Sequence, residues 1–464
     1  MGPSVNRYQM MLELIDAGMN VARLNFSHGS HDEHFRTIDL LKKAREEKKA
    51  PLAIMLDTKG PEIRIGKVPN NSLDLNIGQK VFLTRPSKQD AEDQIVLTPE
   101  IVFDSLKIGM TVLFDDGYIN TKVVNIDERG VTLEAQNSGI LKNQKGVNLP
   151  EVRISLPAMT QEDIDSIRFG CLHDLDIIAA SFIRSASDVL EIRKLLIENN
   201  KPDIFLIAKI EDIQGVQNFD EILEVGDGIM VARGDLGVEL PLQEVPSLQK
   251  MMIRKCYQMG KPVITATQML ESMIKNPRPT RAEVSDVANA IYDSTSAVML
   301  SGETAVGLYP IQTVEMMKKI IIEAEQKFNY QDFFSLDLSH RSCGDISSSI
   351  ALAAVKTAYS IQAKAIFTCT STGASARSVS QFRPGIPILA LTPHSKTYHQ
   401  LALSWGIFPV DPFEVLNVEE AFSYLQEFAL SKGVAAKGDI VVVTAGEPFG
   451  TKGTTNLMIV ERVT

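Results

Sequence analysis

A chain of 464 residues with a formal net charge of −11 is too long for one small core, and two to four domains is the expected number. The acidic balance excludes a general nucleic-acid or membrane-surface binder, which needs a basic face, but leaves phosphate ligands open because a few local lysines and arginines suffice for those. With 44% apolar and 23% charged residues, the composition is that of an ordinary soluble globular protein. Four scattered cysteines (Cys171, Cys256, Cys343 and Cys369), without a CxxC pair, predict buried or reduced thiols and a cytosolic setting. No apolar run reaches the ~18 residues of a membrane span, and no basic segment followed by an apolar stretch opens the chain.

Short apolar runs ending in polar or glycine-rich clusters appear first at 19–29 (MNVARLNFSHG) and 50–60 (APLAIMLDTKG). Runs apolar at both alternating positions suit strands covered on both faces, as in a parallel sheet. From about Pro61 to Leu156 the pattern changes to short alternating strands with turn clusters at 115–117 (DDG) and 128–130 (ERG), which predicts an inserted all-β domain. The apolar runs then resume at 175–185, 204–212, 227–237, 261–270 and 296–305. Amphipathic segments lie between them, over Val189 to Asn200 and Ser247 to Met259 among others. The spacing is that of one strand-plus-helix unit.

Repeated units of this size suggest a closed eight-fold barrel or an open doubly wound sheet. The barrel is favoured because nearly every strand end carries polar, chemistry-bearing residues, and a barrel brings all those ends to one face. Beyond about Tyr330 a connector leads to a helix whose start is marked by Asp345 and Ser347. The runs KAIFTCTSTGASARSVSQFRP and GDIVVVTAGEPFGTKGTTNLMIV then predict a separate α/β domain. The expected architecture is therefore a TIM-type β/α barrel over 1–60 and 157–332, a small β-barrel domain inserted at 61–156, and an α/β domain over 333–464.

Lys209, Glu211 and Asp235 follow adjacent predicted strands, so the two carboxylates can reach one Mg²⁺ or Mn²⁺, hard ions that take oxygen ligands. Lys209 is then placed to balance charge on a phosphoryl group in flight. A salt-bridge cluster at a barrel rim is the plainer alternative. Gly234 and Gly237 allow the backbone to approach a ligand, although a tight structural turn also explains them. Thr265 and Thr267, then Ser301 and Glu303, end the following strands; such hydroxyls also serve as helix caps. Earlier strand ends carry Arg23, Asn25, Ser27 and His28, then Asp57, Thr58 and Lys59. The Asn, Ser, Asp and Thr oxygens suit a monovalent cation, while Arg23 and Arg64 offer bidentate phosphate contacts. His28 alone reads equally well as a hydrogen-bonded structural residue.

Taken in order, the strings GPSVN, NVARLNFSHG, LDTKGPEIR, KGVNLP, IAKIE, VARGDLGVE, ITATQMLESM, DVANAI, MLSGETA and GTTN make the chain closely resemble the pyruvate kinase family from Gly2 to the C-terminus. The resemblance implies transfer of a phosphoryl group from phosphoenolpyruvate to ADP. It assigns the divalent metal to Glu211 and Asp235, the phosphoryl group to Lys209, and the substrate carboxylate to the amides of Gly234 and Asp235 with the Thr267 hydroxyl. Thr267 and Ser301 would serve the protonation of the enol, through water. Asn25, Ser27, Asp57 and Thr58 match potassium ligands, and Arg23 bridges substrate and nucleotide phosphates. Pro3, Asn25, His28, Arg64, Lys145 and Asp116 match nucleotide contacts. Glu62 matches a glutamate that accompanies potassium dependence, which predicts K⁺ activation.

In the last domain Thr370, Ser371, Thr372, Gly373 and Ser375 resemble the family's effector phosphate loop, with Lys452 on a facing loop. A plain strand-to-helix cap explains the same residues. The expected effector is a sugar phosphate, fructose 1,6-bisphosphate first, and the expected assembly a homotetramer. Family members begin with a further strand before GPS, so the first barrel strand is missing here and seven runs stand where a closed barrel needs eight. That absence implies either a natural protein longer than this chain or a shortened one with impaired folding, the former favoured by the intact downstream residues. The chain stops soon after GTTNLMIVERV, without the appended domain that some bacterial relatives carry. A weakly catalytic effector sensor and a barrel lyase are the competing functional classes.

Overall fold

The computed structural model describes residues 1–150, 156–338, 344–449 and 455–464. Its first layer is a seven-stranded, all-parallel sheet in chain order: β1 (Val21–Asn25), β2 (Ala53–Asp57), β3 (Ile177–Ala180), β4 (Phe205–Ile210), β5 (Gly228–Ala232), β6 (Val263–Ala266) and β7 (Ala297–Val298). Each strand falls within one of the apolar runs, and the fully buried β2 to β6 explain why those runs are apolar at every position. Alternate residues divide between two cores. Ala53, Met55, Ile177, Ala179, Ile207, Met230 and Ile264 fill the barrel interior, while Ile54, Leu56, Ile178, Leu206, Ile229 and Val263 pack outward against the helices.

The sheet does not close. Among the described residues β1 pairs only with β2 and β7 only with β6, in line with the seven runs counted from the sequence. The first residues bridge the gap instead: the Met1 amine donates to the Arg23 carbonyl at 2.6 Å, and Ser4 N–H donates to the Ala305 carbonyl at 3.0 Å.

Between β2 and β3 the chain forms a second seven-stranded sheet, from Arg64–Ile65 to Val147–Asn148. A bridge between Arg64 and Gly146 joins its two ends, so it curls into a nearly closed barrel around Leu83, Leu97, Phe114, Val131, Leu133 and Leu141. Asp115, Asp116 and Gly117 all have positive φ, as a tight turn at DDG requires.

The last domain is a five-stranded sheet of β8 (Ala365–Cys369), β9 (Ile388–Leu391), β10 (Ile407–Pro409), β11 (Ile440–Ala445) and β12 (Leu457–Arg462), ordered β10-β9-β8-β11-β12, with only β12 antiparallel. Its first helix, Ile346–Ser360, is capped by the Asp345 carboxylate on Ser348 N–H at 2.9 Å. This domain docks under the barrel. Leu403 joins the interior core, Lys396 pairs with Asp174 and Asp203, and Gln400 donates to the carbonyls of Asp176 and Asp203. Cys171, Cys256 and Cys369 are free and buried; Cys343 lies outside the described residues. No helix among the described residues is long and apolar enough to cross a membrane.

Candidate active site

Parallel pairing in register carries the strand ends to one rim. Asn25 stands opposite Asp57 across β1 and β2, and Lys209 opposite Met230 across β4 and β5. At the rim Lys209 is buried. Its ammonium donates to Ser181 Oγ at 2.6 Å and Asp57 Oδ1 at 2.9 Å, and lies 3.0 Å from Glu211 Oε1. Burial opposes the charged form, but Asp57 and Glu211 together outweigh it and hold the Lys209 pKa above the ordinary lysine value. The lysine is therefore a permanent, desolvated cation.

Asp57 is fully buried and receives Arg23 as well as Lys209. Burial favours its neutral form, yet the two cations overcome this and keep its pKa low. Glu211 accepts the Phe182 N–H at 2.6 Å, and burial raises its pKa despite Lys209. Asp235, in the first turn of the helix Arg233–Glu239, is pushed up to about 7 by burial first and by the charge of Glu211 second. Two desolvated carboxylates that repel each other, with Lys209 and Arg23 set against the three acids Asp57, Glu211 and Asp235, are an oxygen-donor set one positive charge short. That donor set fits a hard divalent cation completed by water and substrate oxygens. Among the described residues no group of three or more His, Cys, Asp or Glu gathers to hold a metal from protein ligands alone.

The motif at 231–237 ends β5 and passes directly into the helix Arg233–Glu239, without an open turn between them. Its Gly234 N–H donates to Thr267 Oγ1 at 2.8 Å, and that hydroxyl donates to the Ala266 carbonyl at 2.6 Å. So the Gly234 amide and the Thr267 hydroxyl do meet, after β5 and β6 respectively. Ser301 is tied to the same corner through Glu303, which accepts Ser301 N–H at 2.6 Å and Leu270 N–H at 3.1 Å.

The monovalent-cation candidates are adjacent. Asn25 Oδ1 accepts Ser27 N–H at 3.1 Å, and Thr58 Oγ1 accepts Ser181 N–H at 3.0 Å. Glu62 pairs with Arg64. Among the nucleotide candidates, Lys145 pairs with Asp115 at 2.6 Å, and Arg64 also donates to the Gln144 carbonyl at 2.8 Å. Asp116, Pro3 and His28 are exposed, and His28 offers its carbonyl to His34 at 2.9 Å. Arg64, Asp116 and Lys145 all lie on the inserted domain.

Far from this rim, Thr370, Ser371, Thr372 and Ser375 line a cavity of about 290 Å³. It opens at the carboxyl end of β8, where the sheet order reverses between β9 and β11, the usual ligand position in such sheets. Gly373 adopts φ +83° immediately before the helix Ala374–Ser380, a conformation that favours glycine. His394, Phe413, Glu414 and Phe449 complete the walls. Lys452 lies outside the described residues.

Sequence reasoning overlooked Ser181, Phe182 and Arg233. Ser181 and Phe182 follow β3, a strand whose end carries no charged group, and only the position of that end on the shared rim marks them. Arg233 stands in a motif read for its glycines.

A parallel barrel with two buried carboxylates and a buried lysine at its mouth, carrying an inserted β domain, has the build of a barrel phosphotransferase. The chain matches the family descriptions "Pyruvate kinase, barrel domain" over residues 1–314 and "Pyruvate kinase, alpha/beta domain" over 348–461. It is 46% identical over 463 residues to a pyruvate kinase of Clostridium acetobutylicum, spanning 100% of this chain and 98% of that one. It is 45% identical to those of Geobacillus stearothermophilus and Staphylococcus aureus, covering 98% and 100% of this chain and 78% and 79% of theirs. The chain belongs to the pyruvate kinase family of enzymes.

Proposed function

We propose that the barrel mouth transfers the phosphoryl group of phosphoenolpyruvate to ADP, forming pyruvate and ATP in the last step of glycolysis. The observation that carries this reading is the desolvated Lys209 ammonium, held among Ser181, Asp57 and Glu211. A fixed cation that needs no solvent reorganisation stabilises charge as the phosphoryl group leaves the enol oxygen for the terminal ADP oxygen. Glu211 and Asp235 would hold Mg²⁺ or Mn²⁺, and that ion when bound would neutralise phosphoryl oxygens. The Gly234 and Asp235 amides with Thr267 would orient the substrate carboxylate, which competes for the amide that Thr267 now occupies. Thr267 and Ser301 would deliver, through water, the proton that the enol carbon takes up.

Arg23 would bridge the two phosphate groups while remaining against Asp57. Asn25, Ser27, Asp57 and Thr58 would bind K⁺. Pro3, Asn25, His28, Arg64, Lys145 and Asp116 would contact the nucleotide, with residues 61–156 acting as a lid that excludes water during transfer. The cavity beyond β8 would take a sugar-phosphate activator on Thr370, Ser371, Thr372, Gly373, Ser375 and Lys452, in a cytoplasmic homotetramer.

Pyruvate formation in a coupled assay tests the reading. Turnover is expected to need phosphoenolpyruvate, ADP and Mg²⁺ together, and to rise with K⁺ and with a sugar phosphate. Pyruvate released equally without ADP would point to a lyase. Sugar-phosphate binding without turnover would point to a sensor.

A further inference from the structure

We infer that Arg233 is a positioning residue for the reaction: its guanidinium clamps the turn that presents Thr267, and so fixes the substrate-carboxylate and enol side of the site. This rests on the role proposed for Thr267 above. Thr267 and Gln268 adopt φ +71° and φ +53° in succession. Left-handed backbone is uncommon outside glycine, and for a β-branched threonine it is an outlier that the surroundings must enforce.

Arg233 supplies the enforcement. Its Nε donates to the Ala266 carbonyl at 3.2 Å, and its Nη2 to the Thr267 carbonyl at 2.7 Å and to Met269 Sδ at 2.8 Å. One side chain thus grips the residue before the turn, the first turn residue itself and the residue after it. The guanidinium is braced in turn. Nη1 and Nη2 donate to the two Asp286 oxygens at 2.8 and 2.7 Å, a fork-to-fork pairing that a lysine cannot reproduce, and Nη1 also reaches Gln249 Oε1 at 3.3 Å.

The backbone of Arg233 has a second task, because it opens the helix that carries Gly234 and Asp235. Gly234 N–H closes the loop onto Thr267 Oγ1 at 2.8 Å. One residue therefore sets the spacing between the metal-side helix and the hydroxyl that faces it. Displacing a reacting group by an ångström costs orders of magnitude in rate, so the clamp belongs to catalysis although Arg233 touches no reacting atom in this reading.

The test compares the parent chain with Arg233→Lys, which keeps charge and loses the fork, and with Asp286→Asn, which loosens the brace. Each is also made together with Gln268→Gly, since glycine holds φ > 0 without strain and Gln268 is exposed. For Arg233→Lys, kcat/KM for phosphoenolpyruvate is expected to fall about 100-fold, with the KM for ADP and the Mg²⁺ half-activation within about 3-fold of the parent. Adding Gln268→Gly is expected to recover about 10-fold, and Asp286→Asn to show the same pattern at about 10-fold.

Loss spread evenly over all these parameters with no rescue by glycine, or turnover within about 3-fold of the parent, overturns the clamp. Amide exchange of the segment 266–269, read by mass spectrometry, reports independently of activity. It should quicken about 10-fold in Arg233→Lys, and unchanged exchange likewise overturns the clamp. A parent chain that makes no pyruvate overturns the functional reading instead, and the exchange result still decides the clamp.

Discussion

The barrel mouth and the pocket of the last domain both sit at the carboxyl ends of parallel strands, yet they are lined by opposite kinds of polar group. At the mouth, Arg23, Lys209, Asp57 and Glu211 interlock as charges, Lys209, Asp57 and Glu211 among them buried, so the field is fixed before any ligand arrives. The pocket after β8 is lined mainly by hydroxyls instead, from Thr370, Ser371, Thr372 and Ser375, with Glu414 as the one carboxylate among the described residues of its wall; Ser371 Oγ lies 3.1 Å from His394 Nε2 and Ser375 Oγ 2.6 Å from Thr455 Oγ1. Hydroxyls reorient at little cost, so a ligand there would not have to break an interlocked set of charges. Under the function proposed above, the difference separates a place where charge would be stabilised in a transition state from one where occupancy would only have to be sensed.

The sharpest way to break this contrast is Lys209→Met. Turnover is expected to drop about 10³-fold or more, roughly 4 kcal/mol of barrier, with Mg²⁺ binding nearly intact because Glu211 and Asp235 remain. Pyruvate formation within a few-fold of the parent would mean that the buried charge is structural only. Next in size is Asp235→Asn, which removes one of two carboxylates. The Mg²⁺ concentration for half-maximal turnover is expected to rise about 30-fold or more, about 2 kcal/mol, and a titration that does not move would remove Asp235 from the metal site. On the other side of the comparison, Thr372→Glu puts a carboxylate into the hydroxyl cradle at an exposed position. Activation by a sugar phosphate, read as its lowering of the phosphoenolpyruvate KM, is expected to vanish through like-charge repulsion. Basal kcat should stay within about 2-fold. Activation that persists would place the effector elsewhere.

The same contrast explains what could be read from the sequence. All seven parallel strands fall within apolar runs, and for β2 to β6 burial on both faces leaves little other composition possible; Lys209, Glu211 and Asp235 followed as the charged residues at their ends. The helix starting at Asp345 was equally legible, since an N-cap is a local device. What stayed hidden depends on contacts distant in sequence. Asp57 reaches Lys209 across 152 residues, and nothing local reveals that Arg23 shares it. The positive φ of Thr267 and Gln268 runs against local preference, so no propensity argument would have placed it.

The smallest expected effect concerns the joint between the two regions, the helix Ser395–Leu401, and it comes from His399. This imidazole is buried, its Nδ1 lacks a hydrogen-bond partner, and its Nε2 lies 3.4 Å from Ser395 Oγ. Burial, with a smaller contribution from the Arg45 charge, lowers its pKa from 6.5 to about 3. Arg45 is itself held by Asp176 at 2.7 Å, so the cation stays in place. Because the folded form binds the proton more weakly than the unfolded form, the unfolded state gains protons first as pH falls. Stability is therefore full above about 6.5 and is lost progressively between 6.5 and 3. Between pH 7.5 and 5.5 the loss from this one group is about 1.4 kcal/mol. Carboxylates titrate in the same chain, so the quantity to measure is a difference. Denaturant unfolding of the parent and of His399→Gln at both pH values should show the parent losing about 1.4 kcal/mol more than the variant. Equal losses would mean that the imidazole is already solvated in the folded protein, and that the barrel and the last domain part more readily than this joint implies.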